Sequence, residues 1–171
     1  MEQPEIVVIS LERAKERRQS IEKQFAELNL PFSFFNAVDG KLGHELFSHY
    51  DANKARRIGE IPLTPGHLGC YASHFLVWRR CVDSGRPMIV LEDDAVLFRE
   101  AFLRFLNQAS RLPEELECVR LFESKSRNRE RMEVFENEGL AIAKFLRGHK
   151  SATGYYLTPS AAEKFLNYGE R

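Results

Sequence analysis

A short apolar segment that ends in three consecutive carboxylates places the strongest constraint on the fold of this chain. Residues 88–91 are apolar, a Gly-Arg-Pro sequence precedes them, and Glu92, Asp93 and Asp94 follow. An apolar run bounded by turn residues predicts a buried strand of an α/β sheet, and such strands present ligand-binding groups at their carboxyl ends. Three acids in a dry site would repel one another. We therefore expect a bound cation that carries phosphate oxygens; the alternative is a solvated acidic turn.

The composition is that of one globular domain spanning residues 1–171. The chain is 43% hydrophobic and has 25 basic and 25 acidic residues, so its formal net charge is zero. No strong overall field attracts it to nucleic acid or to an anionic membrane, although local patches remain open. We find neither a membrane-spanning apolar run nor a signal-peptide pattern, and therefore expect a soluble, cytoplasmic protein.

The three cysteines support that compartment. Cys70, Cys81 and Cys118 form an odd set, which argues against a disulfide scaffold. Because there is no Cys-x-x-Cys pair, they make a poor zinc site. We expect all three to be small buried hydrophobic residues.

The pattern along the chain predicts a mixed, mostly parallel α/β sheet with helices on both faces. A β-branched run at 6–9, an amphipathic pattern at 14–28 and a second apolar run at 32–38 predict a βαβ unit. Thr-Pro pairs at 64–65 and 158–159 predict two helix starts. Further predicted elements are a helix at 99–110 and strands at 118–122, 140–145 and 153–157.

Two segments have weaker patterns. Residues 42–50 indicate a short helix, followed by a basic loop at 54–59 that is a candidate flap over a site. Residues 123–139 are highly charged, and we expect a solvated connection there.

The acidic triplet is the first candidate site. In a strand, Glu92 and Asp94 share one side and Asp93 takes the other. If the chain turns after Asp93, Asp94 is best placed to hold an ion. Mg²⁺ or Mn²⁺ takes one or two protein carboxylates and completes its shell with phosphate and water, which suits neutralisation of a diphosphate leaving group.

A helix carrying two histidines is the second candidate. His67 and His74 are seven residues apart, or about 10 Å, so one metal cannot bind both. Gly69 within the helix costs about 1 kcal/mol relative to Ala, so either the sheet or a ligand should approach it closely. His74 is either a hydrogen-bonded core histidine or a site residue.

The third candidate is the basic cluster after the first strand. Arg13, Arg17 and Arg18 at a strand–helix junction suit phosphate or pyrophosphate. A solvated helix face is the alternative, and we favour it for Arg18. No dinucleotide fingerprint, P-loop or nucleophile elbow is present.

Taken together, these segments resemble glycosyltransferase family 25, the lipooligosaccharide and collagen galactosyltransferase-like enzymes. The resemblance runs from Ile6 to about Leu166. It rests on five segments in order: 8–18, 34–40, Gly-Cys-x-x-Ser-His at 69–74, Leu-Glu-Asp-Asp at 91–94, and 154–162. Where this chain has His67, the family commonly has Glu or a similar residue.

The resemblance implies a GT-A-like domain and an inverting, metal-aided transfer of galactose from UDP-galactose to a saccharide hydroxyl. It implies that the chain acts on a glycan or glycolipid acceptor in lipooligosaccharide assembly, with peripheral membrane association. Residues 92–94 look like the DXD-type metal and diphosphate motif. By the same resemblance, the nucleotide pocket would be lined by Ser10, Leu11 and Arg13, and Asp39 would contact uridine or ribose. Ser73 and His74 would lie near the donor.

An inverting transfer also needs a general base to deprotonate the acceptor hydroxyl. Glu123, after the predicted strand at 118–122, is the candidate for this base. Related domains continue with acceptor-side sequence, so we expect this chain to lack that part. Two alternatives stay open: a non-catalytic or truncated nucleotide-sugar-binding domain, and a metal-dependent nucleotidyltransferase or phosphohydrolase.

Overall fold

A computed structural model describes residues 3–121, 131–145 and 152–169. Glu123, the candidate base, lies outside the described residues. Within them, the elements in chain order are β1 (Glu5–Ser10), α1 (Lys15–Leu28), β2 (Ser33–Asn36), α2 (Ala52–Arg57), α3 (Pro65–Ser84), β3 (Met88–Glu92), α4 (Arg99–Gln108), β4 (Cys118–Arg120), β5 (Arg131–Asn137), β6 (Leu140–Phe145), β7 (Gly154–Leu157) and α5 (Pro159–Gly169). Short 3₁₀ turns occupy Glu45–His49 and Ala109–Arg111.

The main sheet has five strands in the order β2-β1-β3-β7-β4. β1 pairs in parallel with both β2 and β3, whereas β7 runs antiparallel to its neighbours β3 and β4. The predicted mixed, mostly parallel α/β architecture is confirmed. The carboxyl ends of β1, β2 and β3 consequently meet at one edge of the sheet, which is where such folds bind ligands.

Alternation along the central strands divides the core into two layers. Ile6 and Val8 pack with residues of α1 and α4, while Val7 and Ile9 pack with α3 and α5 on the opposite face. This division follows from the period of two in a strand. Because both faces are covered, β1 and β3 are almost continuously buried, as expected of central parallel strands.

The predicted start of α3 at Thr64-Pro65 is confirmed. The Thr64 hydroxyl accepts from the His67 backbone N–H, and the His67 ring in turn bonds the Thr64 backbone N–H, which completes a capping box. Gly85 ends the helix in the left-handed conformation, with φ of 63°. His67 is thereby a capping residue, 3.2 Å from the Thr64 hydroxyl.

Three expectations from the sequence are wrong. The basic segment predicted as a loop at 54–59 lies largely in α2, because the Asp51 carboxylate caps that helix by accepting from Asn53 and Lys54. Residues 131–137, predicted to be a solvated connection, form β5, which pairs with β6 in a separate two-stranded hairpin. Only Cys81 is a buried cysteine; Cys70 and Cys118 are exposed.

The β5–β6 hairpin has a local cause. Its turn, Glu138-Gly139, has φ of 45° and 77°, the left-handed pair that tight hairpin turns require. Phe135, Leu140 and Ile142 then pack against the core layer that contains α4.

Among the described helices, none combines the length and apolar character needed to cross a membrane.

Candidate functional site

A cleft of about 420 Å³ opens at the carboxyl ends of β1, β2 and β3. The loops after these strands and the first turns of α3 form its walls. His67 and Arg18, from the candidate clusters, do not line this cleft. Every described residue that the family resemblance assigned to the site lines it: Ser10, Leu11, Arg13, Asp39, Ser73, His74, Glu92, Asp93 and Asp94, together with Arg17 and Cys70. The functional roles assigned to these residues stay predictions, but the structure brings them together.

The Asp93 side chain is held by residues of β1 and α1. Its Oδ2 accepts from the hydroxyl of Ser10 at 2.7 Å, and its Oδ1 is 2.9 Å from a guanidinium nitrogen of Arg17. Asp93 is only 7% exposed and Ser10 is fully buried. The strand ends at Glu92, and in the turn that follows the Asp93 carboxylate contacts Ser10 of β1 and is neutralised by Arg17 of α1.

Glu92 is held by two residues of α3. Its Oε1 lies 3.2 Å from His74 Nε2 and accepts from the Cys70 thiol at 3.5 Å. The hydrogen bond from His74 lowers the pKa of Glu92 below its usual value, against the opposing effect of burial, and the electrostatic interaction with the His74 ring and the hydrogen bond from the Cys70 thiol also lower it. The carboxylate form of Glu92 is therefore favoured.

The other ring nitrogen of His74 contacts a buried tyrosine. His74 Nδ1 is 2.8 Å from the hydroxyl of Tyr155, which also accepts from the indole N–H of Trp78 at 2.9 Å. Because Trp78 can only donate, the tyrosine proton is free to be donated to Nδ1, which leaves the ring proton on Nε2 for Glu92. Burial raises the pKa of Tyr155, so the tyrosine remains a protonated donor.

Cys70 is exposed as a residue, but its sulfur faces the carboxylates. Burial of the thiol, with the negative charges of Glu92 and Asp94, raises the pKa of Cys70 to about 11.

Asp94 itself is exposed on the cleft, and neither a hydrogen bond nor an ion pair joins it to a residue in the described part of the chain.

Two arginines of the basic cluster have different partners. Arg13 forms an ion pair with Asp39 across the mouth of the cleft. Arg18 donates to the carbonyl of Ser10 at 3.0 Å and to Asn36 Oδ1 at 2.6 Å, and its guanidinium lies 4.6 Å from the ring centre of Phe34. The prediction that Arg18 lies on a solvated helix face is therefore wrong, since this side chain forms hydrogen bonds with both β1 and β2.

Helix α3 holds the loop after β2 against the cleft. Ser73 Oγ accepts from the backbone N–H of Val38 at 2.8 Å and donates to the carbonyl of Gly69 at 2.6 Å. A Cβ at Gly69 would lie 2.6 Å from the carbonyl oxygen of Val38 and 2.7 Å from the amide of Gly40. The group that approaches Gly69 is this loop, and neither of the predicted partners, sheet or ligand.

Sequence reasoning predicted His74 but missed two residues that interact with it or with Glu92, namely Cys70 and Tyr155. Cys70 and His74 are four residues apart, which places them on one helix face, and this spacing could have revealed the pair. Tyr155 left no comparable signal, because it reaches His74 only through the antiparallel pairing of β7 with β3.

The mostly parallel sheet flanked by helices is consistent with a Rossmann-like glycosyltransferase fold. A sequence profile described as glycosyltransferase family 25 (LPS biosynthesis protein) matches residues 3–171. The chain belongs to this family.

Similar proteins come from bacteria and animals. The lipooligosaccharide biosynthesis protein lic2B of Haemophilus influenzae is 30% identical over 92% of this chain and 60% of its own length. The lipooligosaccharide biosynthesis protein lex-1 of the same species is 28% identical over 96% of this chain and 63% of its own length. Procollagen galactosyltransferase 2 of Mus musculus is 31% identical over 78% of this chain and 22% of its own length. The chain thus spans about three-fifths of the length of the bacterial relatives.

Proposed function

We propose that this chain is the donor-binding domain of a glycosyltransferase that moves a hexose from a UDP-sugar to a saccharide hydroxyl. The hexose we propose is galactose. The observation that carries the proposal is the single cleft in which three strand ends present arginines and carboxylates. Glycan assembly of the lipooligosaccharide or lipopolysaccharide type is supported by the names of the bacterial relatives. Because such acceptors are membrane-anchored, we expect the protein to act at the inner face of the cytoplasmic membrane.

The cleft offers complementary charges to a nucleoside diphosphate. Arg13 and Arg17 stand at the mouth, more than half exposed, where guanidinium groups suit diphosphate oxygens. Each is paired with a carboxylate in the structure, Arg13 with Asp39 and Arg17 with Asp93. When the donor binds, its diphosphate would replace some of these carboxylate contacts of the arginines. Asp39 would then be able to accept a hydrogen bond from ribose or uridine.

The acidic triplet divides into three roles under this proposal. Asp94 fits as the protein ligand of Mg²⁺ or Mn²⁺, since it is exposed on the cleft and such ions often take only one or two protein carboxylates. Asp93 fits less well, because Ser10 and Arg17 already engage both of its oxygens. When bound, the ion would neutralise the negative charge on the leaving diphosphate. Glu92 would position His74 and Cys70.

We further propose an inverting transfer, for which the acceptor hydroxyl must lose its proton to a base. Glu92 is kept ionised, but it accepts from His74 and Cys70 and serves better as an anchor than as a base. Glu123 stays the candidate base from the sequence.

A second candidate function is donor binding without transfer. It is favoured by one observation: among the described carboxylates of the cleft, all except Asp94 already have a partner. A relative from Bos taurus, named a probable inactive glycosyltransferase 25 family member 3, is 32% identical over 68% of this chain and 20% of its own length.

Binding of UDP and UDP-galactose by isothermal titration calorimetry, with and without Mn²⁺, tests the donor site. We expect metal-dependent binding that Asp94→Ala abolishes and Asp83→Ala keeps, since Asp83 is an exposed acid on α3 away from the cleft. Metal-independent binding that Asp94→Ala leaves unchanged would contradict the role of Asp94.

Product analysis separates the candidate reactions. Transfer gives UDP and a sugar on the acceptor, a nucleotidyltransferase gives pyrophosphate, and a phosphohydrolase gives free phosphate. Donor binding with none of these products would support the second candidate.

A further inference from the structure

Three different metal-ligating side chains meet beside the acidic turn, in an arrangement that the donor site does not require. Cys70 Sγ, His74 and a carboxylate oxygen of Glu92 all lie within 4.8 Å of one another. The helix supplies Cys70 and His74 from consecutive turns of one face, and the strand end supplies Glu92. The site therefore joins α3 to β3, two elements that the fold already holds in contact.

Two of the three separations between ligand atoms match those around a tetrahedral ion, and the third, from Cys70 Sγ to His74, is within 4.8 Å. Zn²⁺ binds thiolate sulfur at about 2.3 Å and imidazole nitrogen or carboxylate oxygen at about 2.0–2.2 Å, so tetrahedral ligands stand roughly 3.3–3.6 Å apart. Here His74 Nε2 lies 3.2 Å from Glu92 Oε1, and Cys70 Sγ lies 3.5 Å from the same oxygen. An ion bound by these three side chains would replace the two hydrogen bonds.

The surroundings of His74 also suit a metal ligand. Histidines that bind a metal through one ring nitrogen usually bond a polar partner through the other, which sets the orientation of the ring. His74 Nδ1 has such a partner in the buried hydroxyl of Tyr155 at 2.8 Å, itself fixed by Trp78. With Nε2 on a metal, the ring proton would move to Nδ1 and be donated to Tyr155.

The donor types select among metals. A thiolate and an imidazole favour Zn²⁺ and similar late first-row ions over Mg²⁺ or Mn²⁺, which prefer oxygen ligands. All three side chains line the cleft, so the fourth coordination position would face a ligand or water from that side. This site is distinct from Asp94, which offers only oxygen.

We infer that Cys70, His74 and Glu92 form a binding site for Zn²⁺ or a related late first-row divalent ion, with its fourth position open to the cleft. Binding forms metal–sulfur, metal–nitrogen and metal–oxygen bonds and releases the Cys70 thiol proton to solvent. It needs no nucleotide, so it holds whether or not the proposed donor site is correct.

The test uses the full chain, reduced and stripped with a chelator, and titrated with Co²⁺ and Zn²⁺ in the absence of nucleotide. Co²⁺ should give a sulfur-to-cobalt charge-transfer absorption and the intense visible bands of a tetrahedral site, and Zn²⁺ should displace it. Cys70→Ser should abolish the charge-transfer band, whereas Cys118→Ser, which removes another exposed thiol, should keep it. Tyr155→Phe should weaken Zn²⁺ binding about 10–100-fold.

Asp94→Ala should retain the Co²⁺ spectrum, which separates this site from the proposed donor metal. Circular dichroism of each variant confirms that the fold is kept. A titration without a charge-transfer band would show that the three residues form a hydrogen-bonded network only. A band that survives Cys70→Ser, or that Cys118→Ser removes equally, would also overturn the inference.

Discussion

Substituting Gly69 by Ala should destabilise the protein, although the same change stabilises most helices. Gly69 lies in the interior of α3, where replacement of Gly by Ala normally gains about 1 kcal/mol. Here the new Cβ would stand 2.6 Å from the carbonyl oxygen of Val38 and 2.7 Å from the amide nitrogen of Gly40. Both atoms belong to the backbone of the loop after β2, which cannot rotate away as a side chain would.

The loop would have to retreat by roughly 0.8 Å to reach ordinary van der Waals contact, an overpacking change that costs about 1–3 kcal/mol. The retreat also stretches the hydrogen bond from Val38 N–H to Ser73 Oγ, which is worth about 1 kcal/mol. After the helix-propensity gain, we expect a net loss of about 1–3 kcal/mol. For a chain of 171 residues each kcal/mol lowers the Tm by about 2–4 °C.

Thermal unfolding followed by far-ultraviolet circular dichroism measures this loss, with Gly66→Ala as the matched control in the same helix. A Cβ at Gly66 would meet only Thr64 Oγ1, at 3.7 Å, so its Tm should stay level or rise. Because the displaced loop carries Asp39, Gly69→Ala should also weaken UDP binding. Equal or higher stability of Gly69→Ala relative to the parent would refute the packing argument.

Two further changes test the core and the strand junction. Phe25 is 1% exposed, stacks on the ring of Phe32 and meets the ring of Phe102 edge-on. Phe25→Ala should therefore lower the free energy of unfolding in urea by about 3–5 kcal/mol. The control Tyr168→Ala, at a side chain that is 81% exposed, should stay within about 0.5 kcal/mol of the parent. Arg18→Lys loses the hydrogen bonds to Ser10 and Asn36 and the stacking on Phe34, and should cost about 1–3 kcal/mol. The control Arg57→Lys, at an exposed ion pair, should be near neutral. A small effect at Arg18 would mean that its contacts are solvated after all.

Local patterns predicted most of the fold because they depend on neighbours in sequence. The apolar runs that form β1 and β3 and the Thr64 cap are properties of a few adjacent residues, and the structure confirms each. β5 was missed because its high charge resembles a solvated segment, and only its pairing with β6 makes a strand of it.

The partners of the site residues could not be predicted in the same way. The solvated interpretation of Arg18 was wrong because Asn36 and Phe34 come from a neighbouring strand. The burial expected of Cys70 was wrong because its helix face borders an open cleft. In both cases the deciding contact lies far away in sequence.

For this protein, then, the sequence by itself determined the α/β class, the strand that ends in Glu92, Asp93 and Asp94, and the family resemblance. Only the tertiary structure decided what each carboxylate does: Asp93 is neutralised by Arg17, Glu92 is bound by two residues of α3, and Asp94 is left facing the cleft. The physical reason is that strand periodicity and capping are local, whereas the charge state and free coordination of a carboxylate depend on groups that the sheet topology brings together from distant parts of the chain.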